Sequence, residues 1–223
     1  MPIKKETCFV FDMDGVILDS LDNLSSCLIN AIEPFCQSDE HYQTFSKFDK
    51  ENPGLSRFEK IDFFLESLPN NSHIKSEKIK QQVLEHFSSL SLDARLSSTV
   101  DESTYILSKT IAPRNLVLLS NCDNTQLSVI AAHFGFYQTF GGGIIGTPPS
   151  KKKRFSDLVN QNNSSAFVSI SDSESDAIIA RSLNITFVFI QNFARDQALW
   201  LNENESRFQT MKEFILCSDR FIE

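Results

Sequence analysis

Phe11-Asp12-Met13-Asp14-Gly15-Val16-Ile17-Leu18-Asp19-Ser20 is the stretch from which the rest of the chain is read. It follows the apolar run Thr7-Cys8-Phe9-Val10, which does not alternate with polar residues as a half-exposed strand would. A continuous run of this kind is expected of a strand buried on both faces of a parallel sheet. Asp12 and Asp14 then stand two residues apart at the strand's end, with Gly15 directly after them. Open α/β sheets bind ligands beyond the carboxyl ends of their strands. Two carboxylates placed there repel each other unless a cation or a proton separates them. An oxygen-rich site of this type suits Mg²⁺. The plainer alternative is that the two acids end a strand and cap the next turn.

Working outward, similar apolar runs recur at 116–119, 166–170 and 186–190, with helical patterns at 126–134, 152–160 and 174–183. Alternation of strand and helix predicts an α/β fold, a doubly wound parallel sheet of the Rossmann-like kind. Residues 20–110 read differently. Leu21, Leu24, Leu28 and Ile32 keep helical spacing, as do Phe58, Ile61, Leu65 and Leu68, and then Ile79, Val83, Phe87 and Leu90. Breaks at Pro34, at Asn52-Pro53-Gly54 and at Pro69-Asn70-Asn71 divide this segment into four or five helices. The expected organisation is therefore an α/β core from 1–19 and 111–223, with 20–110 inserted as an α-helical cap.

Composition narrows the function classes. The chain has 223 residues, 21 basic against 29 acidic, for a formal net charge of −8. Nucleic-acid binding needs clustered Lys and Arg to neutralise backbone phosphates, so a nucleic-acid partner is not expected. A small anionic ligand answers to one local site and is not excluded. The five cysteines form no Cys-x-x-Cys pair, and an odd number cannot all pair within the chain, which fits reduced thiols. The apolar run between Lys4-Lys5 and Asp12 is only Cys8–Phe11, too short for a signal h-region, and no run approaches membrane-helix length. A cytoplasmic protein with no membrane partner is the expectation; oligomeric state is not legible. His41, His73, His86 and His133 are scattered, without zinc-site spacing. Gly141, Gly143 and Gly146 match G-x-G-x-x-G, but Pro148 and Pro149 stand where the helix of a dinucleotide site should begin.

Phe11–Ser20 resembles the opening motif of the haloacid dehalogenase superfamily. In that superfamily the first aspartate is the nucleophile and the second the general acid/base, roles that the resemblance gives to Asp12 and Asp14. Leu118-Leu119-Ser120-Asn121 resembles the second motif, a buried strand ending in Ser or Thr. Hydroxyl and amide groups at a strand end can donate to phosphoryl oxygens; alternatively Ser120, Asn121, Asp123 and Asn124 simply start a helix. The third motif needs a lysine, and Gly146-Thr-Pro-Pro-Ser-Lys-Lys-Lys-Arg-Phe155 offers Lys151, Lys152 and Lys153. Similarity to Pro-x-Ser-Lys selects Lys151, while a solvated basic helix start is the alternative. Ser169-Ile-Ser-Asp-Ser-Glu-Ser-Asp176 resembles the fourth motif, with Asp172 as a metal ligand and Asp176 supporting the metal or the lysine. Ser171 departs from the usual glycine there. The alternative reading is an acidic first helical turn favoured by the helix dipole.

The insertion point is similar to that of the phosphoglycolate phosphatase and β-phosphoglucomutase group. Pro53-Gly-Leu-Ser-Arg-Phe-Glu-Lys-Ile61 resembles that group's cap loop, which implies Arg57 as a substrate contact and Lys60 as a lesser one. Ser56 and Glu59 also have the spacing of a helical capping box. The resemblance implies a Mg²⁺-dependent phosphatase acting on a small phosphorylated metabolite through an aspartyl-phosphate, with metal held by Asp12, Asp14, Asp172 and Asp176. The other implied readings are a sugar-phosphate mutase and a catalytically idle binding or regulatory module.

Overall fold

Residues Thr7–Phe11 form β1, buried along its whole length. β2 (Leu18–Asp19) follows, then α1 (Leu21–Ile32), α2 (Asp39–Glu51), α3 (Arg57–Glu66), α4 (His73–Leu96), β3 (Thr99–Val100) and α5 (Thr104–Thr110). Beyond these come β4 (Leu116–Asp123), α6 (Asn124–Phe134), α7 (Phe136–Thr139), β5 (Gly143–Thr147), α8 (Lys151–Gln161) and β6 (Ala166–Ser171). The chain ends with α9 (Glu174–Ser182), β7 (Thr186–Ile190), β8 (Ser206–Phe208) and α10 (Met211–Cys217). The structure is a computed structural model describing residues 6–52, 55–68, 73–161, 166–195, 198 and 200–222.

The chain divides into two units, 1–19 with 98–223, and 20–97. The return to the first unit thus comes at Ser98 rather than at 111. Thr99 and Val100 pair antiparallel with Asp19 and Leu18, and the Asp101 amide donates to the Ile17 carbonyl at 2.9 Å. A two-residue strand carries no legible periodicity, so the sequence assigns it to the helical segment.

In the first unit, six parallel strands lie in the order β5-β4-β1-β6-β7-β8. The chain extends from β1 through β4 to β5 on one side, then crosses to β6, β7 and β8 on the other. The reversal happens at β1, where Phe11 is in register with Leu118 of β4 and Ile170 of β6. Both faces of β1 are covered, which explains its unbroken apolar run. Cys8 and Val10 pack with Val117, Leu119, Phe155 and Phe167. Phe9 and Phe11 meet Phe214 of α10 edge-on, with ring centroids 6.1 and 5.9 Å apart. Fully burying side chains of this size contributes roughly 1.5–3 kcal/mol each.

β5 is not anticipated by the sequence, because Gly-Ile-Ile-Gly-Thr offers only Ile144 and Ile145 to an apolar pattern. Its glycine answers to contact. A Cβ on Gly146 would stand 2.8 Å from the Cys122 carbonyl and 2.8 Å from Asn124 Cα, so only glycine allows this approach. The Gly-x-Gly-x-x-Gly match is a sheet strand and its lead-in.

The second unit is a helical cluster with its own core. Cys27, Leu28, Ala31 and Ile32 of α1 pack with Phe45 of α2, Ile61, Phe64 and Leu65 of α3, and Ile79, Val83 and Phe87 of α4. Pro34 sits in a 3-10 turn, Glu33–Phe35, that ends α1. The other two expected breaks, at 53–54 and 69–71, lie outside the described residues.

Candidate active site

At the end of β1 the Asp12 amide still donates to the Ile170 carbonyl, at 2.9 Å, so Asp12 is held by the sheet ladder. Met13 is fully buried, whereas Asp12 and Asp14 on either side of it are partly accessible. Gly15 then adopts φ 83°, a left-handed conformation that glycine takes without strain. Its amide donates to the Leu18 carbonyl at 2.9 Å, closing a tight loop behind the two acids.

Lys151 is the first residue of α8. Its ammonium lies 2.8 Å from Asp12 Oδ1 and 2.6 Å from Asp176 Oδ2. The same Asp176 oxygen accepts the Ser171 hydroxyl at 2.6 Å. Ser171 ends β6, Asp172 follows it, and Asp176 lies in the first turn of α9, whose N-cap Ser173 accepts from the Asp176 amide. The hydroxyl at the position usually held by glycine is therefore turned onto Asp176.

Helical spacing separates the basic run. Lys151 and Arg154 are buried, at 7% and 4% exposure, while Lys152 and Lys153 face outward. Lys153 pairs with Asp157 one turn on, at 2.5 Å. Cations in the first turn oppose the helix dipole. Their presence at the start of α8, whose first turn holds no acidic residue, breaks a local preference that functional sites commonly override.

Burial pushes the Asp12 carboxyl up to about 6; Lys151 opposes that shift, and Asp176 and Asp14 add to it. Asp172 is raised well above the carboxylate range by burial, reinforced by Asp12 and Asp176. Burial works against the charge on Lys151, but Asp12 and Asp176 override it and hold the ammonium above its ordinary value. One lysine thus stands among acids whose negative charge it does not fully offset.

Ser120 is buried, and its Oγ accepts from the Cys122 amide at 3.1 Å. Used as an acceptor there, the hydroxyl keeps its proton to donate elsewhere. Asn121 is exposed. Asp123 caps α6, taking the Thr125 and Gln126 amides at 2.9 and 3.3 Å, and Asn124 accepts from the Gly146 amide. Capping therefore falls to Asp123, and Ser120 and Asn121 are not used for it.

Arg57 belongs to the second unit, where its guanidinium lies over the Phe58 and Phe87 rings at 5.0 and 5.4 Å. The Ser56–Glu59 capping box forms. Lys60 departs from expectation. It is buried in a 2.8 Å ion pair with Asp49, an internal partner that leaves it no role as a substrate contact.

Among the described residues, no three His, Cys, Asp or Glu side chains gather into a metal cluster. Mg²⁺ does not require one, since it commonly keeps several waters and uses one or two carboxylates beside substrate phosphate. The oxygen-only donors of Asp12 and Asp172, each raised in pKa first by burial and further by neighbouring carboxylates, fit a hard cation bound that way. Among the described residues no helix is long and apolar enough to cross a membrane.

No protein-family model matches the chain, and no curated protein matches it. Solved structures do. A haloacid dehalogenase-like family hydrolase from Streptococcus pneumoniae superposes with a TM-score of 0.72 at 13% identity, over 96% of this chain and 99% of that one. A protein from Clostridium acetobutylicum described as a predicted phosphatase gives 0.72 at 16% identity, covering 97% and 99%. CbbY from Rhodobacter sphaeroides, solved in complex with phosphate, gives 0.64 at 12% identity, covering 94% and 96%. The chain has the fold of haloacid dehalogenase-like hydrolases.

Proposed function

We propose that the chain is a phosphatase that hydrolyses a small phosphorylated metabolite with Mg²⁺ as cofactor. The observation that carries this reading is Asp12, a carboxylate at the end of the central strand with Lys151 2.8 Å away. An oxygen nucleophile beside a buried cation is suited to in-line attack on an anionic phosphoryl group. In the proposed reaction Asp12 attacks phosphorus, the bond to the leaving oxygen breaks, and Asp14 gives that oxygen its proton. Asp14 then takes a proton from water. The resulting hydroxide attacks phosphorus, the Asp12–phosphorus bond breaks, and phosphate leaves with Asp12 restored.

Lys151 and the Ser120 hydroxyl would hold phosphoryl oxygens, with Asn121 beside them. Asp12, Asp172 and the Asp14 backbone carbonyl would hold the cation, with Asp176 assisting. When bound, the cation would supply positive charge against which phosphoryl oxygens and carboxylates can approach. Asp176, with one oxygen taken by Lys151 and Ser171, orients the lysine. Phosphomonoester hydrolysis calls for accelerations of up to about 10²¹, and a general acid supplies only about 10²–10⁴. Most of the catalysis must therefore come from this preorganised charge. The five free cysteines support a reducing compartment such as the cytoplasm.

The test is release of inorganic phosphate from a panel of phosphorylated sugars, nucleotides and glycolate, with MgCl₂ and with EDTA. We expect Mg²⁺-dependent release on some member and at least about a thousandfold loss in Asp12→Asn. Equal release by Asp12→Asn would remove the nucleophile, and isomerised sugar phosphate without release would make the protein a mutase.

A further inference from the structure

We propose that Arg154 is a positioning residue that ties β4 and β5 to the start of α8 and turns the Asn121 amide so that its NH₂ group faces the bound phosphate. The proposal rests on the phosphatase reading for its ligand, but its geometry stands apart from it. Arg154 follows Lys151 by one turn, on the same buried face of α8. Its Nε donates to the Pro149 carbonyl at 2.7 Å. Nη1 donates to the Ser120 and Ile145 carbonyls at 2.7 and 3.1 Å, and Nη2 to Asn121 Oδ1 at 3.2 Å. One guanidinium thus links the residue carrying the candidate hydroxyl, the neighbouring strand and the loop leading to Lys151.

The chemistry of the fork fixes a choice that Asn121 leaves open. Guanidinium can only donate, so it selects the oxygen of the Asn121 amide and directs the nitrogen the other way. A phosphoryl oxygen can only accept from such a group. Had Asn121 presented its oxygen, it would have repelled the phosphate instead of binding it.

The burial of Arg154 argues against a purely structural part. Among the described residues no carboxylate forms an ion pair with it; its hydrogen-bond partners are three carbonyls and an amide oxygen. Burying a cation without a directly paired anion costs several kcal/mol. A neutral side chain would fill the same space with less desolvation. The charge is useful only where negative charge is to be received, and Asp12 and Asp176 already act on the guanidinium through space.

The sequence shows Arg154 only as the last member of a basic run. Its separation from Lys152 and Lys153 depends on the helix phase at Lys151, and its four acceptors come from residues 5 to 34 positions away.

The test begins with the wild-type protein. Its Arg154 Nη protons should appear in ¹⁵N-resolved NMR at neutral pH as distinct, slowly exchanging resonances; a single fast-exchanging signal would overturn the clamp. Binding of inorganic phosphate in MgCl₂ is then measured by calorimetry for Arg154→Lys, Asn121→Ala and the double variant. Lysine keeps the charge but cannot span four acceptors. We expect about tenfold weaker phosphate binding in Arg154→Lys, with the Asn121 side-chain amide resonances shifted, and no further loss in the double variant. Additive losses would show that Arg154 does not act through Asn121 and would overturn the proposal, as would Arg154→Lys binding phosphate within twofold of wild type. Arg154→Gln, compared by the same cycle, serves if the lysine variant does not fold. Wild-type protein that binds phosphate yet hydrolyses no substrate would refute the phosphatase reading alone, leaving the Arg154 outcome to be judged on binding.

Discussion

Asp176 Oδ2 receives two donors, the Lys151 ammonium and the Ser171 hydroxyl, each at 2.6 Å. From the sequence, Ser171 is a departure from the glycine that the resemblance implies at that position. The structure turns its Oγ away into a hydrogen bond that holds the carboxylate against Lys151. A hydrogen bond to a charged group contributes about 1.5–3 kcal/mol. Ser171→Ala is therefore expected to lower turnover about tenfold or more, with a lower urea midpoint as well. Unchanged kcat in a folded Ser171→Ala protein would mean that Lys151 alone keeps Asp176 in place. Lys151 itself is selected from the three lysines only by the resemblance to Pro-x-Ser-Lys. Which of them points inward is a matter of helix phase, set where α8 begins.

At the scale of elements, apolar pattern was enough for β1, β4, β6 and β7, each of which is largely buried and reads as an unbroken run. It failed for β5, whose Gly146 is dictated by the backbone of Cys122 in β4 and Asn124 in α6 rather than by any face of its own. It failed also for β8, three residues at the sheet's edge where burial is incomplete. α2 and α3 show a different limit. The resemblance implies Lys60 as a lesser substrate contact, yet it meets Asp49 inside the helical unit at 2.8 Å with both side chains buried, and the Ser25 hydroxyl also donates to Asp49. Removing one partner of a buried pair leaves an uncompensated charge, at a cost of about 3–5 kcal/mol, whereas replacing both by apolar residues is often neutral or stabilising. Lys60→Met should thus lower the unfolding free energy by about that amount. Lys60→Met with Asp49→Leu should recover most of it, as read by urea unfolding followed by circular dichroism. Equal loss in the single and double variants would show that packing, not charge, is at stake there.

For the whole molecule, the excess of acids over bases argues against polyanion binding but says nothing of where those acids lie. Asp12 and Asp172 are brought together and raised in pKa, which couples stability to pH. A carboxyl raised in the folded state binds its proton more tightly there than in the unfolded chain. Its contribution is fully present below the unfolded value, 3.8, and is lost as pH rises through the folded value, about 6 for Asp12. Protein in EDTA should therefore lose stability from Asp12 between about pH 4 and 6. A cation binds the ionised form, so Mg²⁺ should raise the melting temperature more at pH 7.5 than at pH 5. At a concentration 100 times its Kd the stabilisation is about 2.7 kcal/mol. Thermal scans across this pH range, with MgCl₂ and with EDTA, check both signs; a Mg²⁺ effect larger at pH 5 would contradict the site.

By itself the sequence determined the fold class, the helical character of most of 20–110, and the positions of Asp12, Asp14, Asp172 and Asp176 just beyond strand ends. It could do so because parallel strands are buried on both faces and helices on one, so burial leaves a period in the chain. Only the tertiary structure decided that Lys151 bridges Asp12 and Asp176, that Ser171 secures the second of these, that Lys60 is internal, and that Arg154 reaches four acceptors. These depend on contacts between residues far apart in sequence. Periodicity is a local property and does not record which charged atom finds which partner.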